Sequence, residues 1–217
     1  IIDLTKTVEC LNTALAFVED QVAEGKQIVL VGTKRQAHDI IKDLALETNM
    51  PYVVERWLGG MMTNRNTMSE RIKYLKDQEA KMENGALANK YNKLEVQRFQ
   101  EEIDDMNHIY GGIKELHAKP GAVFIVDIVH EINAVREAIK LKIPVVAIVD
   151  TNSDPTDITY PIPANDDAIK TIKLFADYLK QAIDAGKVRH AKKAEKIDKT
   201  EDKKGDTKKE ETIVLGA

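Results

Sequence analysis

Leu4, Val8, Leu11, Leu15, Val18 and Val22 recur at alternating intervals of four and three residues. That spacing lines one face of a helix, and Gly25 ends the run. The pattern then changes character. Gln27-Ile28-Val29-Leu30-Val31-Gly32 is a continuous apolar run, as expected of a strand covered on both faces. Thr33-Lys34-Arg35-Gln36 has the Thr-x-x-Gln spacing of a capping box and predicts a second helix with Ala37, Ile40, Ile41, Leu44 and Ala45 inward. Pro51-Tyr52-Val53-Val54 reads as a short second strand.

The alternation resumes at Ala122-Val123-Phe124-Ile125-Val126-Asp127, a third buried strand, and Ile132, Val135 and Ile139 mark the helix after it. Pro144 to Asp150 predicts a fourth strand and Thr159 to Ile162 a fifth. Asn165 is the expected N-cap of the last core helix, with Asp166 and Asp167 in its first turn and Ile169, Ile172, Ala176, Leu179 and Ile183 on its inner face. Apolar strands alternating with helices imply an α/β fold, a parallel sheet with helices on both faces. Five strands suit the flavodoxin-like order 2-1-3-4-5.

Between these blocks, residues 68–118 are polar, charged and free of proline. Met68, Ile72, Leu75 and Met82 form one narrow stripe, interrupted by Glu79. Phe99, Met106, Ile109, Ile113 and Leu116 form another, with Glu102 in its register, and Asn84-Gly85 is a turn signal between the two. This predicts an inserted antiparallel coiled-coil hairpin. The organisation is thus an α/β domain from residues 1–67 and 119–185, an arm at 68–118, and a charged tail at 186–217. From Lys187 to Glu211 the tail has ten basic and seven acidic residues and almost no apolar ones, so it reads as disordered or marginally helical. The terminal Ile213-Val214-Leu215 either docks or does nothing.

Composition narrows the classes. The single cysteine, Cys10, excludes a disulfide framework within the chain and any cysteine-rich zinc site, which fits a reducing, cytoplasmic setting. No apolar run reaches the ~18 residues of a membrane span. The chain starts at Ile1 without a methionine, so a processed or truncated N-terminus is expected. With 32 Lys plus Arg against 36 Asp plus Glu, the net charge of −4 is at first sight unfavourable for nucleic acid. The charge is uneven, however: the arm holds ten acids and eight bases, and cations gather at Lys34-Arg35 and from Arg56 to Lys73.

Candidate chemistry lies at the strand C-terminal ends, where open α/β sheets bind ligands. Lys34, Asp127 and Asp150 there would suit a nucleotide, phosphate or magnesium site. Against it, no Gly-x-Gly-x-x-Gly or phosphate-loop motif is present, and carboxylates at such ends commonly cap loops. His38, His108, His117, His130 and His190 show no metal-ligand spacing and read as surface residues, so no metal or cofactor is expected. The most informative stretch is Arg56 to Thr67, with the only Trp, the pair Gly59-Gly60, Asn64 and Arg65. It is either an RNA-contacting loop or a hinge whose Trp57 seals the core.

These segments resemble the bacterial small-subunit ribosomal protein two family. The resemblance is carried by Val31 to Ala37, Arg56-Trp57-Leu58-Gly59-Gly60 with Thr63-Asn64, Phe124 to Asp127, Ile143 to Pro155 and Ile162 to Ile169, in family order. The arm falls where the family inserts its helical hairpin. The resemblance implies a non-catalytic component of the small ribosomal subunit that contacts ribosomal RNA and neighbouring ribosomal proteins. It also implies help in recruiting the mRNA-binding ribosomal protein one near the mRNA exit region. The sequence departs from the family at its start, which lacks a His-Phe-Gly-His-type segment, and at Met61-Met62, Arg65 and His130. The expected RNA contacts are Lys34, Arg35, Arg56, Trp57, Asn64, Arg65, Arg71 and Lys73, gathered on one surface. The rivals are a flavodoxin-like nucleotide- or phosphate-binding protein and a protein-binding coiled coil.

Overall fold

The computed structural model describes residues 1–116 and 118–214, with side chains described as far as Lys193. His117 and the side chains of Ile213-Val214-Leu215 lie outside the described residues. Five strands, β1 Ile28–Val31, β2 Tyr52–Val53, β3 Ala122–Val126, β4 Val145–Val149 and β5 Tyr160–Pro163, form one sheet in the order β2-β1-β3-β4-β5. Every neighbouring pair is parallel, with Leu30 opposite Tyr52 and Phe124, and Ile148 opposite Val126 and Ile162. The order matches the sequence expectation. β1, β3 and β4 are buried at every position, which is why they read as unbroken apolar runs.

The two faces are covered differently. On one, α1 (Leu4–Ala23), α2 (Arg35–Thr48) and α7 (Ile169–Val214) bury Val18, Ile41, Ile172 and Leu179 against Leu30, Phe124 and Ile148. On the other, α6 (Ile132–Lys140) shares the cover with the loop residues Trp57, Met61 and Met62 and with Ile113. There, non-helical chain has to fill half a layer.

Four details differ from the sequence pattern. Leu4 and Val8, in phase with the α1 stripe, are exposed, and Thr7 is buried in their place and donates to the Pro163 carbonyl at 2.6 Å. Thr33 does not cap α2: the N-cap is Lys34, and both the Thr33 amide and its hydroxyl donate to Glu131. Asn165 accepts from the amides of Asp167 and Ala168 in a turn before α7, and Asp166 and Asp167 lie in that turn rather than in the helix. α6 is rotated relative to its apolar stripe, burying Ala134, Val135, Glu137 and Ala138 while Ile132 and Ile139 are about two fifths exposed.

Past residue 186 the backbone is a continuation of α7 to Val214. Gly186 packs so closely on α1 that a Cβ would lie 2.7 Å from the Glu19 carbonyl oxygen. Arg189 then reaches Glu19 and Asp20, each at 2.8 Å.

The insertion comprises α3 (Arg65–Glu83), α4 (Ala86–Lys90) and α5 (Lys93–Tyr110), followed by a 3-10 turn at Gly111–Ile113. Gly85 (φ 73°) makes the expected turn, and Asn92 with Glu95 forms a capping box that starts α5. The polar residues that interrupt the stripes are the cross-links. Tyr74 donates to Glu102, and Glu79 accepts from Asn107 (2.7 Å) and Lys114 (2.6 Å). Tyr74–Glu102 and Glu79–Asn107 both join residues 28 positions apart. Along an antiparallel pair that separation would shrink towards the turn, so these bonds do not follow a stripe-on-stripe antiparallel register.

Candidate functional site

The Arg56–Thr67 stretch is shaped by one buried carboxylate that the sequence pattern does not single out. Glu137, on the sheet-facing side of α6, accepts five hydrogen bonds from this loop. Its Oε1 takes the Trp57 indole N–H at 3.1 Å and the Gly60 amide at 2.7 Å, and its Oε2 takes the Met62 amide, the Thr63 amide and the Thr63 hydroxyl at 2.9–3.0 Å. Burial acts to raise the Glu137 carboxyl, but the hydrogen bonds from Thr63, Trp57, Gly60 and Met62 outweigh it and hold it below the usual glutamate range. Gly60 has φ 90°, so the residue that brings the backbone closest to the carboxylate must be a glycine. The available signal was an acid in the alanine face of a helix (Ala134, Glu137, Ala138), with donors supplied by a loop far upstream.

This settles Trp57. It is 7% exposed with its N–H satisfied internally, so it seals the core and is not available to stack on a base. Asn64 and Arg65 are exposed at the start of α3, immediately after the clamped segment.

Lys34 also leaves the set of surface contacts. It lies where β1 and β3 diverge to opposite sides of the chain order, the ligand crevice of such sheets. Its ammonium fills that crevice, bound to Asp127 (3.1 Å), Asp166 (2.9 Å) and Asp167 (2.5 Å). Burial alone would lower the Lys34 pKa, but the hydrogen bonds it donates to Asp167, Asp166 and Asp127 raise it above the ordinary lysine value. Asp127, at φ 66°, also caps the following turn through the Val129 and His130 amides. Burial opposes its charge, yet those amides and Lys34 lower its pKa. For Asp166 burial wins and the pKa is raised; its Oδ2 is buried without a hydrogen bond. Asp150 accepts from the Thr151 amide and makes no ion pair with Lys34. The three residues of the nucleotide rival therefore do not form one open site.

The remaining cations divide between two edges. Arg35 and Arg56 are exposed just beyond the C-terminal ends of β1 and β2. Arg65 and Lys73 line a pocket with Lys119 and Leu141, which precede β3 and β4 at the opposite edge. Arg71 lines a groove with Arg98, Glu101, Glu102 and Asp105, an acidic setting. Arg35 with Arg56, Arg65 with Lys73, and Arg71 thus lie in three settings, with the Glu137-bound loop between Arg56 and Arg65.

Between arm and domain, Glu55 bridges two histidines, with its Oε1 3.0 Å from His38 Nε2 and its Oε2 3.0 Å from His108 Nε2. Among the described residues there is no group of three or more His, Cys, Asp or Glu able to hold a metal ion. Among them, too, no helix is long and apolar enough to cross a membrane.

What the fold and site define is a parallel α/β domain with its strand-end crevice closed by its own ion cluster and a helical insertion after β2. The chain belongs to the ribosomal protein S2 family, whose sequence model matches residues 1–186. It is 45% identical over 186 residues to small ribosomal subunit protein uS2 of Bifidobacterium longum, an alignment covering 86% of this chain and 66% of that protein. It is 46% identical over 176 residues to the protein of the same name from Hahella chejuensis (81% and 69% covered). With that of Campylobacter concisus it shares 45% over 187 residues (86% and 71%). The aligned part thus spans just under two thirds of the Bifidobacterium longum relative.

Proposed function

We propose that this chain is a structural, non-catalytic constituent of the small ribosomal subunit that binds ribosomal RNA and neighbouring ribosomal proteins in the cytoplasm. The observation that carries the reading is the family match over residues 1–186, together with relatives named as small-subunit proteins. The closed crevice at Lys34 supports it over the nucleotide-binding rival. RNA phosphates are taken up by Arg35 and Arg56 at one edge and by Arg65, with Asn64, at the foot of α3. The helical arm contacts subunit neighbours, and the assembled protein supports docking of the mRNA-binding ribosomal protein one.

The test is co-sedimentation with small subunits and a salt titration of binding to their RNA. Each phosphate neutralised on duplex RNA or DNA contributes about 0.9 to the slope of log affinity against log salt. Reversing Arg56 and Arg65 together should flatten the slope by nearly two such increments. A chain that stays at the top of the gradient in low salt, or a slope unchanged by the double reversal, rejects the reading. For the last clause, subunits depleted of this chain should retain less ribosomal protein one and regain it on add-back.

A further inference from the structure

We propose that the pocket at the foot of α3 is a docking site for an acidic segment of a partner protein, which inserts an aliphatic side chain. The pocket has a volume of about 310 Å³ and lies between α3, the chain leaving the 3-10 turn, and the turns before β3 and β4. Its floor is apolar: Met62, Ile113 and Ile143 are buried beneath it, and Met68, Ile72 and Leu116 are half-buried around it. Its walls are held in place before anything binds. Glu137 fixes the Met62 amide on one side, and on the other Lys119 donates to the carbonyls of Leu141 (2.7 Å) and Lys142 (3.3 Å).

The rim carries Arg65, Lys73, Lys76, Lys114 and Lys119, and among the described residues no carboxylate lines the pocket. Lys76 and Lys114 pair with Glu115 and Glu79 outside the lining, whereas Lys119, among the described residues, meets only neutral carbonyls. Such a rim attracts phosphates and carboxylates alike, so the floor decides the class of partner. RNA bases are held by aromatic or guanidinium stacking and by amide groups that read their edges. Among the described residues the lining has no aromatic ring and no carboxamide, and its guanidinium, Arg65, is exposed at the rim and not part of the buried floor. Methionine, isoleucine and leucine suit a Leu, Ile or Met side chain, and thioethers adapt to its shape. Acidic residues on either side of that anchor would meet the lysines.

The experiment uses the full chain and a fluorescein-labelled helical peptide of glutamates with leucines at every third or fourth position, followed by anisotropy. A serine-for-leucine peptide and a short oligouridylate are run beside it. Saturable binding of the leucine peptide is expected, weakened about tenfold by Lys119→Glu and by Leu116→Asp. The serine peptide should not bind, and the methyl resonances of Met62, Met68 and Ile72 should shift only with the leucine peptide. Lys119 is exposed, so its variant tests the site even where Leu116→Asp fails to fold. The proposal is overturned by no saturable binding, by equal binding of the serine peptide, by insensitivity to Lys119→Glu, or by oligouridylate producing the same methyl shifts. Lys119 and Leu116 lie outside the proposed RNA contacts, so either reading can fail alone.

Discussion

Glu137 is a buried charge and Lys34 a half-buried one, and their tasks are opposite. Glu137 is an anion surrounded by neutral donors, all from one loop, so its work is to hold the shape of that loop. Lys34 is a cation among three carboxylates that follow β3 and β5, so its work is to tie strand ends together across a crevice. The difference separates shape from closure. In the first centre removing the charge leaves amide dipoles unsatisfied; in the second it leaves like charges facing one another.

The largest break in that comparison is Glu137→Ala. Several donors would lose their acceptor at a buried position, and leaving a buried group unpaired costs about 1–3 kcal/mol. A loss of about 3–5 kcal/mol of unfolding free energy is expected, read by urea denaturation, with Glu137→Gln losing roughly half as much. pH gives an independent check. The folded Glu137 pKa is lowered, so the unfolded chain binds more protons in acid. Its stabilisation is present above the ordinary value of 4.5 and is lost as pH falls below it. An acid limb equally steep in wild type and Glu137→Gln would contradict this account of the centre.

Next comes Lys34→Met. Breaking a buried pair costs about 3–5 kcal/mol, but Asp167 is 66% exposed and water screens part of the repulsion, so about 2–3 kcal/mol is expected at neutral pH. Asp166 has a raised pKa, so its protonated form is favoured by folding and its contribution is lost as pH rises through that value. The Lys34→Met defect should therefore shrink on mild acidification, and adding Asp166→Asn should recover part of it at neutral pH. A defect independent of pH, with no recovery in the double variant, would mean that Lys34 acts through its aliphatic stem.

These centres also mark how far the sequence could be read. β1, β3 and β4 were legible because strands buried on both faces leave no polar position to confuse the pattern. The phase of α6 was not, because its inward side is defined by alanines and by Glu137, whose donors come from a loop some 75 residues earlier. Lys34 looked like a phosphate ligand for a related reason. Its partners Asp127 and Asp166 lie 93 and 132 residues away, and a one-dimensional pattern cannot bring them together. Trp57 was evenly balanced between loop seal and RNA platform, and Glu137 tips it to the first.

A smaller effect sharpens the shape side of the comparison. Gly60→Ala would place a Cβ 3.2 Å from that of Asn64 on a backbone at φ 90°. A non-glycine residue held in such a region costs about 1–3 kcal/mol. The lower half of that range is expected, because the Glu137 bonds remain possible and Asn64 is exposed. In the Glu137→Gln background the same substitution should cost less, since a loosened loop can relax away from the strained angle. Additive losses in the double variant would show that the clamp and the glycine act independently.

The smallest effect concerns the Glu55 bridge, where a partly exposed charge joins two elements. Hydrogen bonds to Glu55 and then to Asp39 raise the His38 pKa above 6.5 despite opposing burial. The groups facing it from the packed elements are Glu55 after β2, Asp39 on α2 and, across the same carboxylate, His108 on α5. With a raised folded pKa, the stabilisation is complete below 6.5 and is lost as pH rises through the folded value. His38 and Glu55 are 28% and 27% exposed, so screening limits the gain to about 1 kcal/mol or less. That is too little to unfold the domain. It is enough to change how often α5 parts from that bridge, so the protection factors of α5 amides, with the intrinsic rise of exchange with pH divided out, should fall between mildly acidic and mildly alkaline pH. Glu55→Gln should abolish that change in protection while leaving the protection of β3 and β4 untouched, and a change surviving the substitution would place the control of the arm elsewhere.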